Sequence, residues 1–232
     1  MKTQIFPMIV LASMLAACGG DKPADKQAAA GSVNSTANPP ALPANAPAVG
    51  AQIKDIANPK PDKPGQDGEY TKMAWEDLEL PGKGMDDILK KYQAQIDAIP
   101  EGDPREKAVM EKMQADLNSA PVNPALNGKK IKLPGYVTPL EVDEKAEVVR
   151  EFLLVPYFGA CIHVPPPPLN QTILVKTEPD KALSMGDMYS PIWVYGTLDT
   201  DLAHTDLADA GYQIKTDKIE TYQEKDQEGG GQ

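Results

Sequence analysis

The sequence lacks the short motifs of nucleotide-binding and hydrolytic enzymes. It contains no G-x-G-x-x-G, no Walker loop, no H-E-x-x-H and no G-x-S-x-G. It also lacks clustered basic residues: 23 Lys and Arg stand against 34 Asp and Glu, for a net charge of −11. Because phosphates and anionic lipid headgroups call for basic faces, this balance argues against binding to nucleic acid or to a lipid surface through charge.

The N-terminus has the features of an export signal. Lys2 precedes a short apolar run over 5–15, too short to span a bilayer as a stable helix. The run ends in LAAC, which resembles the lipobox of bacterial lipoproteins. The resemblance implies that 1–17 is a signal peptide and that Cys18 carries lipid anchoring the chain to a membrane. Gly19, and not Asp, follows Cys18, and by the sorting preference of enteric lipoproteins the resemblance implies a Gram-negative outer-membrane lipoprotein facing the periplasm. An ordinary secretory peptide ending in Cys is the alternative.

Cysteine is otherwise almost absent. With Cys18 lipidated, Cys161 is the only thiol left, so no disulfide can form within the chain. An exported location would permit one. Cys161 is therefore expected to be buried, to bind a metal, or to pair with another chain.

The composition predicts a flexible segment before the folded part. Residues 18–68 are rich in Ala, Pro and Asn and hold few large apolar side chains. Such a segment buries too little surface to offset its chain entropy, so it is predicted to be a flexible, partly polyproline tether.

Helical periodicity follows the tether. An extended latch at WEDL is expected to dock Trp75, and two runs with apolar residues at helical spacing come next. The second run begins at Asp103-Pro104, an N-cap acceptor followed by a proline in the first turn. Residues 69–126 are therefore predicted to be a latch and a helical hairpin.

Beyond residue 126 the pattern changes to strands. Five runs rich in β-branched and aromatic residues are separated by turn signals. They are KKIKLPGYVTPL, EVVREFLLV, QTILVK, PIWVYGTL and GYQIKTDKIETY. They predict a β domain over 127–224, folded as a five-stranded OB-like barrel or a strongly bent sheet. The tail 225–232 is predicted to be disordered, and the fold class is α+β, mainly β.

The segment 157–171, YFGACIHVPPPPLNQ, carries the most distinctive chemistry. In an extended chain, Cys161 and His163 point to the same side. A thiolate and a neutral imidazole are good ligands for Zn²⁺ or Cu⁺. The four prolines predict a rigid polyproline strut whose end the two amides hold by hydrogen bonds to the backbone. This supporting loop comprises Pro165, Pro166, Pro167, Pro168, Asn170 and Gln171.

Three interpretations of the Cys/His pair stay open. The first is a zinc site, which needs three or four donors. Glu141 is the expected third donor, with Asp199 and His204 as further candidates. A nucleophile activated by its neighbouring imidazole is the second, although parallel side chains need a special bend to meet. The third is simple packing, because free cysteine is among the most buried residue types.

Several strings together resemble a known bacterial family. They are WEDL, KKIKLPGYVTPLE, EFLLVPYFGACIHVPPPPLNQTILVK, PIWVYGTL, AGYQI and IETY. They resemble domain-of-unknown-function family 3299, over about 70–80 and 127–222. The resemblance implies exported or lipidated proteins without established catalytic activity. Some members are encoded beside ABC-transporter genes, including zinc-responsive ones.

The function expected from these features is a non-enzymatic binding module facing the periplasm. It would handle a transition metal, Zn²⁺ by preference, as an accessory to an envelope transporter or partner protein. A structural or protein-interaction lipoprotein using the Pro-rich loop is the alternative. A Cys–His hydrolase or transferase is the second alternative.

Overall fold

The computed structural model describes residues 42–56, 69–100 and 102–222. Their helices and strands, in chain order, are α1 (Ile53–Ile56), β1 (Thr71–Lys72), α2 (Met85–Asp97), α3 (Pro104–Asn118), β2 (Lys130–Asp143), β3 (Val148–Val155), β4 (Ile173–Lys176), β5 (Leu183–Ser184), β6 (Ile192–Asp199), β7 (Ala203–His204), β8 (Asp209–Ala210) and β9 (Tyr212–Thr221). Short 3₁₀ turns lie at Trp75–Leu78, Pro124–Leu126, Leu169–Gln171, Pro179–Lys181 and Met185–Asp187.

Five of the strands close into a barrel. Around it, β2 is followed by β3, β4, β9 and β6, and β6 pairs with β2 again. Counted along the chain, this order is first, second, third, fifth and fourth. All the pairs are antiparallel except β4 with β9, which is parallel. The topology is that of the OB fold, so the predicted OB-like barrel is confirmed in its closed form.

Strand β2 serves two neighbours because it bends in the middle. Its residues 130–135 pair with β6, and residues 136–143 pair with β3. The bend falls at Pro134-Gly135, where a Cβ on Gly135 would lie 2.7 Å from Leu154 Cγ. A side chain there would force Leu154 out of the core, so the close approach requires glycine.

The barrel interior is filled by alternate residues of its strands. On β9, Tyr212, Ile214 and Thr216 are buried, while Gln213 and Lys215 face outward. This two-residue period is the one expected for strands with one face in the core. Further interior residues are Leu133, Phe152, Val175, Val194 and Leu198.

The latch closes one side of the barrel. Trp75 and Leu78 are buried, and the Trp75 indole Nε1 donates to the carbonyl of Pro134 at 2.8 Å. The predicted docking of this segment is confirmed. Its backbone is a 3₁₀ turn, so the predicted extended conformation is wrong.

The two predicted helices form and pack together. Asp103 caps α3 by accepting from the Arg105 backbone N–H, as its sequence pattern predicts. A small apolar cluster of Ile88, Tyr92 and Ala120 lies between the helices and the chain that leaves α3.

The structure corrects the predicted tether. Residues 42–56, here called the strap, lie against the barrel. Ile53 is 1% exposed, and Leu42 and Ile56 pack on the same core. The prediction of a flexible tether through residue 68 is therefore wrong for residues 42–56.

Other predictions fall on residues that the structure leaves undescribed. The signal peptide 1–17, Cys18, the rest of the tether (19–41 and 57–68) and the tail 225–232 lie outside the described residues. Within the described ranges, no helix has both the length and the apolar character needed to span a membrane.

Candidate functional site

The GACIHV segment forms a tight turn. The carbonyl of Gly159 accepts from the backbone N–H groups of His163, at 2.8 Å, and Val164, at 3.2 Å. The N–H of Cys161 donates back to the carbonyl of Val164 at 3.0 Å. Cys161 and His163 therefore do not lie side by side on an extended chain, and that prediction is wrong.

Cys161 is held in an unusual backbone conformation. Its φ is +68°, in the left-handed region that residues with a Cβ seldom adopt. Its side chain packs against the barrel core, and burial raises the pKa of the thiol to about 12. The thiol is thus protonated at neutral pH. An activated nucleophile needs the thiolate, so the surroundings of Cys161 do not activate it.

The proposed metal ligands are not brought together. In the described ranges, no group of three or more His, Cys, Asp or Glu side chains could hold a metal ion. Glu141 is exposed on β2 opposite Glu151. The further candidate His204 instead contacts Asp209, with Nδ1 2.7 Å from Oδ1. Cys161, His163 and Glu141 therefore do not form the predicted three-ligand site. Cys161 and His163 lie in the turn, and Glu141 lies on β2 apart from them.

The tetraproline segment runs from the protein surface into the core. Pro165 and Pro166 are exposed, whereas Pro167 and Pro168 are buried. The hydroxyl of Tyr157 donates to the Pro165 carbonyl at 2.9 Å. Prolines have no backbone N–H, so their burial leaves no donor to satisfy. The segment can therefore enter the core without a pairing strand.

Asn170 and Gln171 are buried amides that hold distant segments to the barrel. Gln171 Nε2 donates to the carbonyl of Trp75 at 2.9 Å. Asn170 Nδ2 donates to the carbonyls of Lys83 and Pro121 at 3.3 and 3.4 Å. The predicted hydrogen bonds to the backbone are present. Their acceptors belong to the latch, to the chain just before α2 and to the chain after α3, which sequence spacing could not indicate.

The strap pairs with the chain beside this turn. Phe158 exchanges backbone hydrogen bonds with it: the Gly50 N–H donates to Phe158 O at 2.8 Å, and the Phe158 N–H donates to Ala51 O at 3.0 Å. The Ile53 N–H adds a bond of 2.7 Å to the Pro156 carbonyl. The strap thus extends the barrel wall by a short antiparallel pairing.

Residues 42–53 of the strap and residues 156–171 together form a surface region, here called the corner, and the exposed Lys54 and Asp55 at the end of the strap lie outside it. Neither segment contains an Asp, Glu, Lys or Arg, although a quarter of the whole chain is charged. Val49 and Ile162 are each 43% exposed on it, beside the exposed Pro165 and Pro166. Two segments that carry no charged residue of their own and expose apolar side chains are typical of an interaction surface.

A second surface was missed by the sequence analysis. It lies on the outer side of β2, β6 and β9 and is here called the lysine–aromatic face. Its members are Tyr70, Lys72, Lys130, Lys132, Trp193, Tyr195, Lys218 and Tyr222. The available signal was alternation: Lys130 and Lys132 on β2, and Trp193 and Tyr195 on β6, are two residues apart and so share a face.

Comparison with known proteins gives one family and one solved structure of interest. A family model described as "Protein of unknown function (DUF3299)" matches residues 75–221. A crystal structure of a DUF3299 family protein from Pseudomonas aeruginosa PAO1 is 40% identical, with a TM-score of 0.50. The alignment covers 67% of this chain and 98% of that one. Among curated proteins none matches.

Proposed function

The chain belongs to the DUF3299 family of proteins of unknown function, and on that premise we propose that it is a non-enzymatic protein-interaction module. In this proposal a lipid on Cys18 anchors it to the outer membrane, facing the periplasm. The corner binds an apolar segment of a partner in the envelope. A transporter is one class of partner that would fit.

The observation that carries the proposal is the uncharged corner. A protein with a net charge of −11 keeps its surface solvated mainly through charged residues, yet 42–53 and 156–171 have none. Exposed Val49 and Ile162 lie there beside two exposed prolines. Apolar contact is non-directional and scales with the area removed from water, so such a patch favours an apolar partner surface.

The corner is also rigid enough to be recognised. Gln171 fixes its base to the latch, Asn170 fixes it to the carbonyl of Lys83 before α2, and the Gly159 carbonyl fixes the turn that presents Ile162. A surface that is already ordered loses little conformational entropy on binding. This supports an interaction role for the Pro-rich loop.

The arrangement of Cys161 and His163 does not support the expected role in handling a transition metal. Cys161 serves as a packed thiol beneath the corner, and no third donor joins it and His163 among the described residues. The same thiol, with its pKa raised to about 12 by burial, gives the hydrolase or transferase hypothesis no support.

The test is site-specific photo-crosslinking in intact cells with the full, lipidated chain. A photoreactive amino acid replaces Ile162 in one variant and Leu202 in the other. Leu202 is a matched control because it is an apolar side chain 50% exposed outside the corner. We expect a discrete adduct from position 162 only. The purified partner identified from it should bind the Ile162→Asp protein about tenfold more weakly, and the Leu202→Asp protein with unchanged affinity.

Two outcomes would overturn the proposal. One is an equal yield of adducts, or none, at the two positions. The other is binding to vesicles of phosphatidylethanolamine and phosphatidylglycerol by the lipid-free Cys18→Ser protein that Ile162→Asp abolishes. That result would make the corner a membrane-contact surface.

A further inference from the structure

We propose that the strap occupies a peptide-binding groove of the barrel. The ligand of this groove is an extended segment of another protein that carries a large apolar side chain followed directly by a basic residue. The strap is then a built-in competitor, which such a segment displaces. The groove shares residues 156–158 with the corner but does not include the exposed Ile162, so the inference does not rest on the partner proposed for the corner.

The groove holds its occupant by backbone pairing. Residues 156–158 continue the chain beyond the end of β3, and Tyr157 stands opposite Gln52 of the strap in an antiparallel bridge. Three backbone hydrogen bonds of 2.7, 2.8 and 3.0 Å join the strap to these residues. Main-chain bonds of this kind are available to any extended segment, and they are how peptides add as a strand to the edge of a sheet.

The strap does not fill its groove. Ile53, 1% exposed, lies beside Trp75, Pro156 and Gln171. The same residues line a cleft of about 50 Å³ that stays open next to it. A water molecule needs roughly 10–15 Å³ on this measure, so the cleft has room for a side chain larger than that of Ile53. A longer aliphatic or aromatic side chain in this position would bury more apolar surface than the strap does.

The strap also leaves a buried hydroxyl unsatisfied. The ring of Tyr136 meets that of Phe158, the pairing partner of the strap, with centroids 5.6 Å apart. Burial, and after it the charge of Asp55 on the strap, raises the pKa of Tyr136 to about 12. Among the described residues this hydroxyl has no hydrogen-bond partner. Because a buried donor without an acceptor costs free energy, an occupant that supplies an acceptor would gain an advantage over the strap.

Carboxylates on one side of the cleft define the charge of the ligand. Glu76, Glu79 and Asp86 line it together with Lys54, the residue after Ile53. Burial of Glu79, and then the negative charges of Glu76, Asp86 and Asp87, raise the pKa of the Glu79 carboxyl, although the Met85 N–H that it accepts at 3.0 Å lowers it. Crowded carboxylates favour a cation placed among them. The ligand should therefore carry Lys or Arg directly after its apolar anchor.

The first test measures binding of a defined peptide. A fluorescent synthetic peptide has the sequence of residues 46–56 with Ile53→Phe, which enlarges the anchor. Its binding is followed by fluorescence anisotropy with the full Cys18→Ser protein and with the same protein carrying Ile53→Ala. A segment in the same chain competes at an effective concentration of about millimolar. Because Ile53→Ala weakens this competitor, we expect that protein to bind the peptide at least about tenfold more tightly.

Variants of the peptide and of the protein define the groove. Lys54→Glu in the peptide should weaken binding about tenfold, since it sets like charges together. Glu76→Gln in the protein should weaken it about threefold. Glu111→Gln is the matched control, because this carboxylate is exposed on α3 outside the groove, and it should change nothing. Ile162→Asp should also leave the affinity unchanged. Circular dichroism confirms that each variant is folded.

The second test shows whether the peptide displaces the strap. Amide hydrogen exchange of the ¹⁵N-labelled Cys18→Ser protein, with its strap intact, is measured by NMR with and without saturating unlabelled peptide. The N–H groups of Gly50 and Ile53 donate to residues 156–158 and should lose protection when the strap leaves. The Phe158 N–H donates to Ala51 and should stay protected, because a carbonyl of the peptide replaces that acceptor.

Several results would contradict the inference. No binding by either protein would mean that the groove takes only its own strap, and protected strap amides at saturation would place the peptide elsewhere. Equal affinity for the Lys54→Glu peptide would remove the basic residue from the ligand. Loss of binding by Ile162→Asp would move the peptide onto the corner. Dimers in sedimentation that the peptide dissociates would make the strap of a second copy the occupant.

Discussion

The corner and the pair of helices α2 and α3 are held together by contacts of different kinds. In the corner, buried amides join residues far apart in sequence: Gln171 to Trp75, and Asn170 to Pro121. Between the helices, the polar contacts are nearer the surface, as where Lys91 and Tyr92 meet Asp116 at 2.6 and 2.7 Å. Cutting a buried hydrogen bond leaves its partner unsatisfied, whereas water replaces an exposed one. The corner should therefore be sensitive to single substitutions and the helical pair tolerant of them.

The largest expected difference concerns the Cys161 thiol. In the Cys18→Ser protein, where it is the only thiol, its alkylation at pH 8 should be roughly a thousandfold slower in the native than in the unfolded state. The reason is that burial raises the pKa to about 12, so the thiolate is scarce. The rate of reaction with iodoacetamide, with and without urea, checks this.

The same pKa gives a pH dependence with a defined sign. The native pKa lies above the ordinary thiol value of about 8.5, so above that pH the unfolded state loses the proton first. The free energy of unfolding should then fall as pH rises from about 8.5 towards 12. Cys161→Ala should lack this component. A native thiol that reacts as fast as the unfolded one would contradict the burial of Cys161.

The next effect concerns the strap. Ile53→Ala removes a buried side chain and should lower the free energy of unfolding by about 2–4 kcal/mol. Urea denaturation checks this. Val49→Ala is the matched control in the same segment, since Val49 is largely exposed, and it should cost less than about 0.5 kcal/mol. Equal effects of the two substitutions would mean that the strap does not pack on the barrel.

The third effect concerns the buried amide at the base of the corner. Gln171→Ala leaves the Trp75 carbonyl without its donor and should cost about 1–3 kcal/mol. Thermal unfolding of the two proteins measures the difference. Gln93→Ala is the control, because its amide bonds to Asp97 on the exposed surface of α2 and should change the midpoint little. A cost for Gln171→Ala no larger than for the control would remove the contrast between the regions.

The smallest effect is expected between the helices. Asp116→Asn removes the carboxylate that Lys91 and Tyr92 share and should cost less than about 1 kcal/mol, because the group is near the solvent. The loss should shrink further in 1 M salt, where screening is strong. A cost above that of Gln171→Ala would show that the helical pair, and not the corner, governs stability.

The helical pair was predictable because its determinants are local. Asp103 and Pro104 open α3 through a cap and a first-turn proline, a pattern read from neighbouring residues. The five barrel strands were predictable in the same way, from alternation and turn residues. The closure of β2 onto both β3 and β6 confirmed one of the two predicted forms, which local patterns could not separate.

The corner was only partly predictable. The sequence indicated that Asn170 and Gln171 would bond to backbone, and it drew attention to Cys161 and His163. It could not show that Gly159 organises a turn, because three N–H groups converge on that carbonyl only in the folded chain. The strap was missed since its composition is that of a disordered segment. It is ordered by the buried Ile53, by Leu42 and Ile56 packed on the same core, and by pairing with Phe158.

The sequence by itself determined the class of fold, the helices and strands, the lack of cationic clusters and the resemblance to one family. All these depend on residue type and short-range spacing. Only the tertiary structure decided that Cys161 is a packed thiol, that Glu141 lies apart from it, and that lysines and aromatic rings share one outer face. Those facts depend on which segments come into contact. The contacts are determined by the burial of apolar side chains throughout the barrel.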